Sequence, residues 1–125
     1  MTDFDRLGGA EGVAQVMTRL VDRMFTDFVI GFLFEGRDRD RILMHEIELA
    51  SAHLGGPAAY SGRPIGAVHR PLRIHRGHFH RRVAILRKVL TELDVPADVI
   101  ERWIAHDDSL ESVVAEPIDC GPPPA

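Results

Sequence analysis

The amino-acid sequence predicts an all-α fold, and three observations carry that prediction. Apolar residues recur at three- and four-residue steps in separate segments, the period of an amphipathic helix. Each such segment is bounded by glycine, proline or a charged turn, where helices start and stop. No stretch alternates apolar and polar residues over the length of a strand, and no internal repeat is present.

Taken in order, a short first turn begins near Thr2 and is interrupted by Gly8-Gly9, because paired glycines carry a large backbone entropy cost inside a helix. From Ala10 to Phe28, Val13, Val16, Met17, Leu20, Val21, Met24, Phe25 and Phe28 mark a long core-facing helix. Ile30, Phe32, Leu33 and Phe34 make an aromatic corner, closed by Gly36 and the charged loop 37–40. Asp38 is placed to cap the next helix, which runs through Ile42, Leu43, Ile47, Leu49 and Leu54 until Gly55-Gly56-Pro57 stops it. A Pro/Gly/Ser-rich loop over 57–64 leads to a short helical turn around Gly66 to Leu72. From His75, Phe79, Val83, Leu86, Leu90 and Leu93 step by four, three, four and three. After Val95, with Pro96 tolerated in the first turn, Val99, Ile100, Trp103, Ile104, Leu110, Val113 and Val114 define a last helix.

The chain has 125 residues, enough for one domain with one core, which we read as residues 1–115, followed by a disordered Gly/Pro-rich tail over 116–125. No apolar run approaches the roughly 20 residues that span a bilayer, which predicts no membrane partner. Residues 1–6 lack the basic start and apolar run of a secretory signal, so the expected location is cytoplasmic. The one cysteine, Cys120, sits in the tail, which leaves no intramolecular disulfide and no cysteine-based metal site. The formal net charge of −4 hides an asymmetry, since Arg70, Arg73, Arg76, Arg81, Arg82, Arg87 and Lys88 lie in a stretch without acids. Such a stretch suits nucleic acid or haem propionates, but a solvated helix face explains it more simply, and no nucleic-acid partner is expected.

His69 lies in the apolar stretch 65–74, after the turn 55–62. An imidazole loses its proton near neutral pH and is the usual protein ligand of a haem iron, although a lone histidine also suits a structural or surface role. His45-Glu46 invites comparison with the zinc-protease pattern, which needs a second histidine where this chain has Leu49. His75, His78 and His80 form a patch with no carboxylate nearby in sequence to complete a metal site, so a solvated patch is the simpler reading. No phosphate loop, nucleophile elbow or carboxylate pair is visible.

The order of features, Gly8-Gly9, a long helix, the corner ending in Phe34, another helix, Leu54-Gly55-Gly56-Pro57 with Tyr60 and Gly62, then Val68-His69, Ile74 and His78-Phe79, resembles the truncated haemoglobins, the two-over-two globins, and group I in particular. The resemblance covers roughly residues 4 to 114, and it makes the domain over 1–115 a truncated globin domain. It implies a two-over-two helical sandwich around haem b, iron protoporphyrin IX. His69 would be the proximal iron ligand, Phe34 would pack on the haem face, and Ile65, Val68, Ile74 and Phe79 would line the proximal side. Apolar lining excludes water, slows oxidation of the ferrous oxygen complex and holds a flat apolar ring by burial.

On the distal side, the position of the family's oxygen-stabilising tyrosine is matched by Val21, which has no donor. Ile42 and Leu49 are apolar, and Glu46 stands where a glutamine is common. Facing the cavity, Glu46 would be pushed up in pKa by burial, and only its protonated form could donate to a ligand. Rotated away, it would reach solvent or an arginine such as Arg41 or Arg82. His45 matches a position that in some cyanobacterial members coordinates iron distally and in others contacts a propionate. The resemblance therefore implies reversible binding or transport of oxygen, nitric oxide or other small ligands. Its alternatives are a bis-histidyl His69/His45 redox protein, a haem-dependent nitric oxide dioxygenase or peroxidase served by a reductase, and a haem-free globin-like module. The expected assembly is a monomer or weak homo-oligomer.

Overall fold

A computed structural model describes residues 1–57 and 74–114. The expected turn around His69 and the expected disordered tail lie outside the described residues. Six helices are described, α1 (Asp3–Arg6), α2 (Gly9–Thr26), α3 (Arg39–His53), α4 (Arg76–Glu92), α5 (Ala97–Asp108) and α6 (Glu111–Val114), with a 3-10 turn over Gly31–Phe34.

Local chemistry sets the boundaries. The Thr2 hydroxyl accepts from the Asp5 amide while the Asp5 carboxylate accepts from the Thr2 amide, both at 3.1 Å, a reciprocal cap on α1. Gly8 caps α2 with φ of 99°, a conformation in which a Cβ would be strained. Gly12 lies where α1 returns against α2, and a Cβ there would stand 1.8 Å from the Leu7 carbonyl oxygen. The Asp27 carboxylate ends α2 by accepting from the amides of Val29 (2.9 Å) and Ile30 (3.1 Å). Asp38 caps α3 as expected, accepting from the Arg41 amide at 3.2 Å.

Two expectations need correction. Phe28 lies past the end of α2 and is 99% exposed, so it faces solvent rather than the core. The last helix is two pieces: the Ser109 hydroxyl donates to the His106 carbonyl at 2.5 Å and the Leu110 amide bonds the Asp107 carbonyl at 2.9 Å, which tightens and ends α5 before α6 begins.

The packing follows from the apolar stripes. α2 contacts α3, α4 and the 3-10 turn, and α4 contacts α5. The main core joins Val13, Met17, Leu20, Val21 and Met24 of α2 to Leu86, Val89 and Leu90 of α4, Ile100, Trp103 and Ile104 of α5, and Ala50 and Leu54 at the end of α3. A second cluster, Ile74 with Phe79, shares Leu33 and Val83 with the first. Each burial contributes roughly 1.5–3 kcal/mol for a fully covered large side chain.

The arginines of α4 do not form a bare cationic face. Arg76 bonds Glu111, Arg81 bonds Asp27, Arg82 bonds Glu46 and Asp107, and Arg87 bonds Glu101, so acids from other elements meet each of them. α1 is held to α5 in the same way, by Arg102 on Asp3 and Arg6 on Asp98.

Candidate functional site

α3 positions the distal candidates. Ile42, Glu46, Leu49 and His53 recur at four, three and four residues, so they share one stripe of the helix. Its polar members reach the neighbouring helices. Arg82 donates one guanidinium N–H to Glu46 at 2.6 Å and another to Asp107 at 2.7 Å, joining α3, α4 and α5. Burial alone would lower the Arg82 pKa, but the facing carboxylates of Glu46 and Asp107 more than reverse this and hold it above the ordinary arginine value. Of the two destinations open to Glu46 from the sequence, the geometry is that of the arginine partner, Arg82.

The apolar candidates fall into the two clusters. Val21 is fully buried in the main core, and Ile42 packs against it. Phe34 stacks on Phe25 at 4.8 Å between ring centroids and leans on the same cluster. Ile74 and Phe79 make the second cluster. Leu49 and His45 are half-buried on α3. Ile65, Val68 and His69 lie outside the described residues.

The histidine patch at the start of α4 divides: His75 and His78 meet, with ring centroids 5.2 Å apart, while His80 turns to another element. His78 Nδ1 accepts from the His75 amide at 3.2 Å, and His80 Nε2 meets Glu111 at 2.9 Å. A different group does converge: His53, His106 and Asp107, whose candidate ligand atoms lie within 4.8 Å of one another. The sequence carries a weak sign of it, because Asp107 continues the apolar stripe Ile100, Trp103, Ile104 and is itself buried. A carboxylate on an apolar stripe requires a partner.

These residues suit a flat apolar ring. α3 carries Ile42, Leu43, Met44, Ile47 and Leu49, yet only Ala50 and Ser51 of this helix are buried, and Met44 is 47% exposed. Phe32 of the 3-10 turn is 56% exposed. An incompletely covered apolar helix beside an aromatic corner fits a porphyrin face.

The bacterial-like globin family model matches residues 2–115. The chain belongs to that family, among the truncated haemoglobins. It is similar to a group 1 truncated haemoglobin of Mycolicibacterium paratuberculosis, with 31% identity over 97 residues, 78% of this chain and 71% of that protein. In fold it matches the ferric truncated haemoglobin of Tetrahymena pyriformis, with a TM-score of 0.84 and 22% identity over 92% of this chain and 98% of that one. It also matches the two-over-two haemoglobin of Synechococcus sp. PCC 7002, solved in the cyanomet state with covalently attached haem, with a TM-score of 0.83 and 23% identity over 89% of this chain and 94% of that one. The two-over-two sandwich is thus the fold of this truncated haemoglobin, and membership brings haem and small-ligand binding with it. No helix among the described residues is long and apolar enough to cross a membrane.

Proposed function

We propose that this truncated haemoglobin holds haem b through His69 and binds oxygen, nitric oxide or a similar small ligand. When bound, the haem supplies the iron centre on which such ligands reside. The residues around it supply the rest. Phe34, Ile65, Val68, Ile74 and Phe79 exclude water and hold the ring by burial. Val21, Ile42 and Leu49 offer the ligand no hydrogen bond, and Glu46 is committed to Arg82 at 2.6 Å. A carboxylate held by a guanidinium is a poor donor, so a polar bound ligand is stabilised only weakly and dissociates fast. This favours exchange of ligands over storage.

The observation that carries the reading is the family match over 2–115 together with the incompletely covered apolar face of α3 beside the aromatic corner. Optical spectra test it. Protein supplied with haem should show a Soret band that shifts on reduction and again with carbon monoxide, and its oxygen should leave faster than from a Val21→Tyr variant. A protein with no Soret band under haem excess, or oxygen release unaffected by Val21→Tyr, would overturn it.

A further inference from the structure

The seam that fastens Glu46 to Arg82 continues into a group that ligand binding at a haem does not use. His53 is the last residue of α3, and His106 and Asp107 lie in the last turn of α5. The two imidazoles stack at 4.0 Å between centroids with planes 16° apart, and the Trp103 ring meets His53 edge-on at 5.4 Å. We propose that His53, His106 and Asp107 form a binding site for a divalent transition-metal ion of the zinc class.

Four observations support this assignment. The donor set, two imidazoles and one carboxylate, is one that zinc accepts, with a fourth position left for water. The donor atoms lie within 4.8 Å of one another. Tetrahedral ligands at 2.0–2.1 Å from zinc stand about 3.4 Å apart, so closure needs the donor atoms to approach by about an ångström and the two near-parallel rings to turn out of their stack until both in-plane lone pairs meet the ion, a rotation about the side-chain torsions of two half-buried residues. The carboxylates outnumber the fixed cation along the seam, Glu46 and Asp107 against the one guanidinium of Arg82, and both histidines lie at the negative ends of their helices. Finally, the outer contacts are in place, because Arg82 orients the Asp107 carboxylate from one oxygen at 2.7 Å and is itself braced by Glu46.

The test is calorimetric titration of the full chain, as purified, with zinc chloride at pH 7.5, alongside thermal unfolding with and without zinc. One zinc ion per chain should bind with a dissociation constant of about 1 μM or tighter, and zinc should raise Tm. His53→Ala and His106→Ala should each weaken binding by about 100-fold and abolish the Tm rise. A His75→Ala/His78→Ala/His80→Ala variant should bind like the parent. His106→Ala keeps the test sound where His53→Ala folds poorly. Absence of stoichiometric binding below about 1 mM zinc, binding that survives His106→Ala, or binding lost in the triple variant would overturn the proposal.

Discussion

Arg82 is the residue on which the seam between α3, α4 and α5 turns, because its guanidinium joins three helices through two carboxylates. Removing Arg82 leaves the buried Asp107 and the half-buried Glu46 without their counter-charge, a loss of up to about 3–5 kcal/mol. Arg82→Met should therefore lower the urea midpoint strongly, and adding Glu46→Gln and Asp107→Asn to it should recover most of the loss. Asp27 is the second residue with a measurable signature. Arg81, and then the Val29 and Ile30 amides, hold its carboxyl below the usual carboxylate value against the opposing effect of burial. Between the folded pKa and the unfolded value of 3.8 the unfolded chain binds more protons, so this stability is full above about pH 5 and is lost as pH falls through that window. Asp27→Asn should flatten the acid limb of a stability–pH curve and cost stability at pH 7. The sequence displayed both destinations of Glu46 but could not choose between them, since the choice depends on how α3 is rotated against α4. His53 and His106 were invisible as a pair, because only tertiary packing stacks residues from the ends of two distant helices.

Helix boundaries were legible where a residue's own local chemistry, a capping side chain or a glycine's backbone freedom, sets them. Thr2, Asp38 and the Gly8 break all act within a few residues of themselves, so the sequence holds the whole interaction. The end of α5 was not, because apolar spacing continues through Val113 and Val114 while Ser109 takes the His106 carbonyl. Phe28 likewise kept the period of α2 after Asp27 had ended the helix. Gly12 gives the sharpest test at this scale. Helix propensity alone favours alanine there by about 1 kcal/mol. The Leu7 carbonyl oxygen, 1.8 Å from where the Cβ would be, reverses the sign. Gly12→Ala should cost about 2 kcal/mol overall and lower Tm, read by thermal unfolding; a rise in Tm would show that α1 yields freely.

The molecule as a whole is a two-over-two globin whose polar interior differs from a purely apolar pocket. Its fold was readable because long periodic helices in a specific order carry it, and relatives near 22% identity share it. A globin scaffold serves storage, sensing and redox chemistry alike, so its role is argued from the site. There the account rests on His69 as the bond to haem iron, with a distal side that stabilises polar ligands weakly. The direct measurement is haem titration of the parent chain and of His69→Ala, followed at the Soret band. The parent should take up one haem per chain and give ferrous and carbon monoxide spectra of a histidine-ligated iron, and the variant should lose that band or retain haem only weakly. An unchanged Soret band and carbon monoxide spectrum in His69→Ala would contradict the account.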